Sequence, residues 1–235
     1  MQSHSWKPYN SSFMELKEAI RIRRSIRGYK PDPVPRAILS EILSLATRAP
    51  SAINIQPWEI TVVTGNDLEK IKLGNVEMME SGIWPHPDMP MPLLTEVHRK
   101  RQLALGSQLY RLLEIHRGDH TKSYEWAKKS MRFFDAPSVI FITSDETLNI
   151  TSTAFDCGLL TENIALLALE YGLGTCINEQ GVFYPDVVRN FTGIPDSRRI
   201  IVCISIGYPD WDFPANKIYS EREPLDSITV WRGYV

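Results

Sequence analysis

Residues 136–145 read "APSVIFITSD", a short run that is nearly all apolar and shows no alternation of polar and apolar positions. A strand with one wet face alternates; a strand without alternation needs cover on both faces. The stretch 198–210, "RRIIVCISIGYPD", has the same character, and both are predicted as buried strands. Between them, residues 151–171 carry an apolar helical pattern, too hydrophobic around its girth for a surface helix, ended by Gly172 and Gly174. Strand, helix and strand in that order form the centre of the fold.

Toward the N-terminus, "EITVVTG" (59–65) is a third β-rich run closed by a turn. Ser12 and Glu15 make a capping-box pair, and Phe13, Leu16, Ala19 and Ile20 follow at helical spacing. After the loop "KPDPVP" (30–35), Pro35 suits the first turn of a second helix, with Ile38, Ile42, Leu45, Ala46 and Ala49 on one face. Beyond the third strand, residues 66–74 are expected as a short helix, and 75–94 as irregular because of "WPHPDMPMP". Residues 95–116 and 121–134 read as two polar helices separated by "RGDH". The order predicts one α+β domain over 1–235 instead of regular βαβ alternation, with an insert at 75–134 and a tail at 210–235.

A chain of 235 residues with 43% hydrophobic content can bury one sizeable core. Its net charge of -2 argues against a general nucleic-acid or membrane-surface binder. Cys157, Cys176 and Cys203 are far apart and form no CxxC pair, as expected of reduced thiols. No secretory leader pattern and no apolar run of the ~20 residues needed to span a membrane is seen, so a soluble, cytoplasmic protein is expected. His116 and His120 have metal-ligand spacing, but a glycine turn lies between them and no third ligand is evident, so no metal is expected. No GxGxxG follows a strand.

Against this near-neutral background, Arg21, Arg23, Arg24 and Arg27 fall within seven residues. Cations at the end of a solvated helix would explain them. So would a phosphate clamp, in which arginine forks and the Ser25 hydroxyl meet phosphate oxygens. "APSAINIQPW" (49–58) fits an ordinary turn, or, if extended, a loop whose Asn54 and Gln56 amides share a side and read a heterocycle's edge. Arg222 is a surface arginine, or one that returns charge to the same anion.

Taken together, "RRSIRGYKPDPVP", "ATRAPSAINIQPWEITVVT", "FFDAPSVIFITSD", "GLLTENIALLALEYGLGTC" and "IGYPDWDFPANKIYSEREPLDSITVW" resemble the FMN-dependent nitroreductase family in order and spacing. The resemblance runs from about Phe13 to Trp231 and is greatest to the longer members with an insert such as that from Arg99 to Asp119. It implies a nitroreductase-like α+β fold, with a central mainly antiparallel or mixed sheet flanked by helices, in an intertwined homodimer with FMN at the interface. It places Arg23 and Ser25 at the flavin phosphate, Arg27 at the N1/O2 edge of the ring and Arg24 on the ribityl or pyrimidine side. Arg222 closes over the phosphate, although Ser220 stands where the family often has a second basic residue. Pro50, Ser51, Ala52, Asn54 and Gln56 fall on the loop reaching the flavin from the partner or its own subunit. Glu179 lies near the reactive face, in a loop ("INEQG") that departs from the common forms. The implied activity is hydride transfer from NADH or NADPH through flavin N5 to a nitroaromatic, quinone or similar acceptor, with no side chain needed as acid, base or nucleophile. The insert is expected as a lid, with Trp84, Tyr110, Trp126 and Phe134 as stacking candidates. Alternatives are a flavin store or redox sensor without fast turnover, a reductive dehalogenase or enone reductase on the same scaffold, and an RNA-binding module. "APSAINIQ" lacks the glycine-containing form expected of dehalogenating relatives.

Overall fold

The computed structural model describes residues 14–234; Ser12 and Phe13 of the capping pattern lie outside them. The elements run α1 (Leu16–Ile22), α2 (Arg36–Ala46), β1 (Glu59–Thr64), α3 (Gly65–Glu80), α4 (Glu96–Leu112) and α5 (His120–Met131). They continue β2 (Ser138–Asp145), α6 (Ile150–Glu170), β3 (Gly174–Asn178), α7 (Pro185–Thr192), β4 (Arg198–Gly207) and α8 (Leu225–Ile228).

The four strands pair antiparallel in the order β1-β2-β4-β3. β2 is central, and its lack of alternation has a direct cause: each face packs on a different helix layer. Ile140 and Ile142, with Ile204 and Ile206 of β4, meet Ile42 of α2 and Leu160 and Ile164 of α6. Val139 and Phe141 meet Leu68 and Ile71 of α3 and Val188 of α7 on the other side. Each such fully buried aliphatic side chain contributes roughly 1.5–3 kcal/mol of burial free energy.

Three expectations are corrected. The helix after β1 does not stop at residue 74 but runs to Glu80. The first proline of the following stretch is Pro85, whose ring obstructs a helix only about four residues back, so the helix reaches that limit. Gly174 does not merely end α6; it opens β3, which pairs with β4 from Gly174↔Gly207 to Asn178↔Cys203. Helix α7 lies in a stretch for which no helix was expected. Pro185 stands in its first turn, and Gly193, at φ 72°, ends it in the left-handed conformation glycine favours.

Helix α6 is capped by Asn149, whose side-chain oxygen accepts from the Thr151 and Ser152 N–H groups. It buries Asp156, Cys157, Leu160, Ile164 and Ala168 on one side. On its other side Phe155 is 69% exposed. No helix among the described residues is long and apolar enough to cross a membrane.

Candidate active site

Only the start of the arginine stretch is a helix end, with Arg21 in the last turn of α1. Helix α1 stops at Ile22, Arg23 turns extended (φ -54°, ψ 126°), and the chain runs beside β3. Ser25 forms a parallel bridge with Thr175, and the Ile26 N–H donates to the Thr175 carbonyl at 2.9 Å, which makes the sheet locally mixed. Ile26 is buried, anchoring the stretch by its apolar member. Asn216 fastens it from the tail. Its Oδ1 accepts the Arg27 N–H at 2.6 Å, and its Nδ2 donates to the carbonyls of Gly28 and Asp210, each at 2.7 Å.

The electrostatic influences of Arg23, Ser25 and Arg27 meet at the buried Cys176 thiol. Burial pushes the Cys176 thiol up, opposed by the charge of Arg27, a hydrogen bond with Ser25 and the charge of Arg23. Arg23 also pairs with Glu162 of α6 at 3.2 Å. Arg27 is half-buried and has no carboxylate partner among the described residues; its Nη1 donates to the Ser25 carbonyl at 3.3 Å. Arg24 does not join that convergence and donates from Nε to the Ile22 carbonyl at 3.4 Å. Arg222 is exposed and folds onto its own turn, donating to the Ser220 carbonyl (3.0 Å), the Ser220 hydroxyl (2.8 Å) and the Glu221 carbonyl (3.1 Å).

The loop carrying Pro50, Ser51, Ala52, Asn54 and Gln56 is a tight turn, not the extended segment on which a shared side for Asn54 and Gln56 depended. Ile53, Asn54 and Gln56 take φ of 45°, 62° and 46°, a region that costs non-glycine residues conformational energy. Its fastenings are few. The Gln56 N–H donates to the Ser51 hydroxyl at 2.9 Å, and the Ala52 N–H donates to the buried Asp156 carboxylate at 3.2 and 3.4 Å. Below the loop lies a cavity of about 530 Å³, lined in part by Pro50, Ser51, Ala52, Phe155, Asp156 and Leu159, with none of the arginines in its wall.

Both clusters touch α6, at Asp156 and Glu162. Six residues on a helix are about 9 Å of rise and about 120° of rotation apart, so the two attachments leave α6 in different directions. Glu179, exposed, opens the turn after β3. The insert is pinned beside that turn. The His86 N–H donates to the Phe183 carbonyl at 2.9 Å, its ring nitrogens contact the Trp84 carbonyl and Asp186 at 3.1 Å each, and Arg189 pairs with Asp88 at 2.7 Å. Of the stacking candidates, Trp84 is 87% exposed, whereas Phe134 is buried and stacks with Trp126 at 5.6 Å between ring centres. Those two rings are engaged with each other. Among the described residues, no group of three or more His, Cys, Asp or Glu could hold a metal ion. Asn216 and Asp156, which hold the two clusters, were not anticipated from sequence.

Residues 20–208 match the model of the nitroreductase family. The chain is 33% identical over 221 residues to nitrobenzene nitroreductase of Ectopseudomonas oleovorans, covering 92% of this chain and 96% of that protein. The crystal structure of the FMN- and NADPH-dependent nitroreductase NfnB from a Sphigopyxis strain superimposes with a TM-score of 0.90, at 30% identity and with 94% of this chain and 100% of that one covered. NfnB from Mycobacterium smegmatis, FMN-dependent and solved with NADPH, gives a TM-score of 0.87 at 28% identity, covering 92% and 97%. The chain belongs to the nitroreductase family.

Proposed function

We propose that this protein is an FMN-dependent nitroreductase that draws electrons from NADPH or NADH and delivers them to a nitroaromatic acceptor. The observation that carries the reading is Arg27: a half-buried arginine whose backbone N–H is held by Asn216 and whose guanidinium, donating to the Ser25 carbonyl, has no carboxylate partner among the described residues. A partly desolvated cation fixed in this way is stabilised by a ligand anion.

The residues present fit FMN. Arg23 and Ser25, with Arg222 from the tail, hold the phosphate; Arg27 supports negative charge at the N1/O2 edge of the ring; Arg24 serves the ribityl or pyrimidine side. Pro50, Ser51, Ala52, Asn54 and Gln56 reach the ring from a second copy of the chain, a placement supported by their attachment to α6 on a different side from Arg23. Glu179 borders the reactive face. When bound, FMN accepts hydride from the nicotinamide and passes reducing equivalents to the acceptor, which enters the same slot after the nicotinamide leaves. The chain's own part is to bind, orient and exclude water. The insert, carrying exposed Trp84, covers the slot.

The test is an anaerobic visible spectrum of the FMN-loaded protein as NADPH or NADH, then nitrobenzene, is added. The flavin band should bleach with a nicotinamide and return with the acceptor. A bound flavin that neither nicotinamide bleaches would instead mark a store or sensor.

A further inference from the structure

The turn that opens at Glu179 is held by two buried amide side chains. Asn178 accepts at Oδ1 the N–H groups of Gln180 (3.0 Å) and Gly181 (3.3 Å), and its Nδ2 donates to the Ser130 carbonyl at the end of α5 (2.9 Å). Asn75 of α3, 0% exposed, donates from Nδ2 to the Met131 carbonyl (3.1 Å) and to the Gly181 carbonyl (3.2 Å). Both side chains therefore join the turn to the same place, the last residues of the insert.

That junction is rigid. Phe133, Phe134 and Asp135 take φ of 56°, 58° and 60° in succession, a backbone path that only firm surroundings maintain. Asp135 is tied by Arg132, and the Phe133 ring lies where a Cβ on Gly181 would come within 2.3 Å. The far end of the turn is gripped as well, by the His86 N–H on the Phe183 carbonyl. Buried amides of this kind cost free energy unless their hydrogen bonds are made, and the Asn75 Oδ1 has no partner among the described residues. An apolar residue at position 75 would spare that cost, so hydrophobic packing does not explain its presence.

We infer that Asn75 and Asn178 are positioning residues: they fasten the Glu179–Val182 turn to the end of α5, so that the insert and the border of the reactive face keep one fixed geometry. The inference rests on the proposed placement of Glu179 beside the flavin. A small displacement at a reacting centre costs rate far more than it costs affinity for a cofactor anchored elsewhere.

The experiment compares FMN-loaded wild type with Asn75→Leu and Asn178→Asp, both of which lose the link to α5. Flavin content, melting temperature and the rate of anaerobic flavin bleaching by NADPH or NADH are read together. Bleaching should slow by about tenfold or more while flavin content stays near wild type. Folded variants that bleach within about twofold of wild type, or lose rate only in proportion to folded fraction, would overturn it. Should both variants fail to fold, hydrogen exchange on the wild-type holoprotein decides. The Gln180 and Gly181 amides should be as protected as the last turn of α5, and rapid exchange there would refute the coupling. A wild type that binds no flavin, or never bleaches, would instead strike the functional reading beneath it.

Discussion

The arginine edge and the loop at residues 50–56 are built in opposite ways. The edge is laid along β3, sealed by buried Ile26 and clamped by Asn216, so its cations are placed before any ligand arrives. The loop stands exposed, with three non-glycine residues at positive φ, and is tied to α6 through one carboxylate. The first has the preorganised backbone that the proposed anion site requires. The second is a strained projection whose exposed residues do little for its own chain, and Phe155 on the adjacent α6 is likewise exposed. On the proposed reading, the contrast teaches that one chain carries two parts of the flavin site and that a second copy brings them together.

The largest expected effect comes from Phe155→Arg, which sets a charge on the exposed side of α6. Sedimentation should report monomers, and FMN affinity should fall on the order of a hundredfold, equivalent to about 2.7 kcal/mol. A dimer with intact flavin would remove α6 from the interface. Arg222→Ala deletes a charge-assisted contact worth roughly 1.5–3 kcal/mol, to be read as weaker FMN binding by titration; unchanged affinity would take the tail out of the site. Asp156→Ala frees the Ala52 N–H, and a buried hydrogen bond to a charged group is again worth roughly 1.5–3 kcal/mol. Here the loss should appear as fast hydrogen exchange at Ala52 and weaker flavin retention, with the arginine edge unaltered.

The smallest effect is a pH dependence of the insert. The hydrogen bond to the Trp84 carbonyl and, after it, the bond and charge of Asp186 raise the His86 pKa above the usual histidine value. A raised pKa means that His86 stabilises the folded insert below the unfolded value and that this contribution is lost as pH rises through the folded one. Protection of the amides around His86 should therefore fall slightly as pH rises past that point, and His86→Gln should abolish the slope.

Much of this was legible in the chain. β2 and β4 show as uninterrupted apolar runs because each is covered on both faces, and α6 shows as apolar because it carries exposed Phe155 as well as its buried side. β3 was not legible: "GTCIN" follows directly on the glycine that ends α6 and becomes a strand only by pairing with β4. The arginines were visible as a cluster, but their extended path comes from the bridge to Thr175, a contact no local pattern encodes. Asp156 and Asn216 escaped for the same reason. Their hydrogen-bond partners lie 104 and 189 residues away in sequence, and a lone polar residue in a helix or tail carries no mark of such a contact.

The central claim is that the flavin site is shared between two copies, and dilution tests it most directly. The FMN-loaded protein is diluted while sedimentation follows its size and flavin fluorescence follows release. Flavin should leave over the same concentration range in which dimers separate. Monomers that keep their flavin would contradict the claim, since one chain would then complete the site alone.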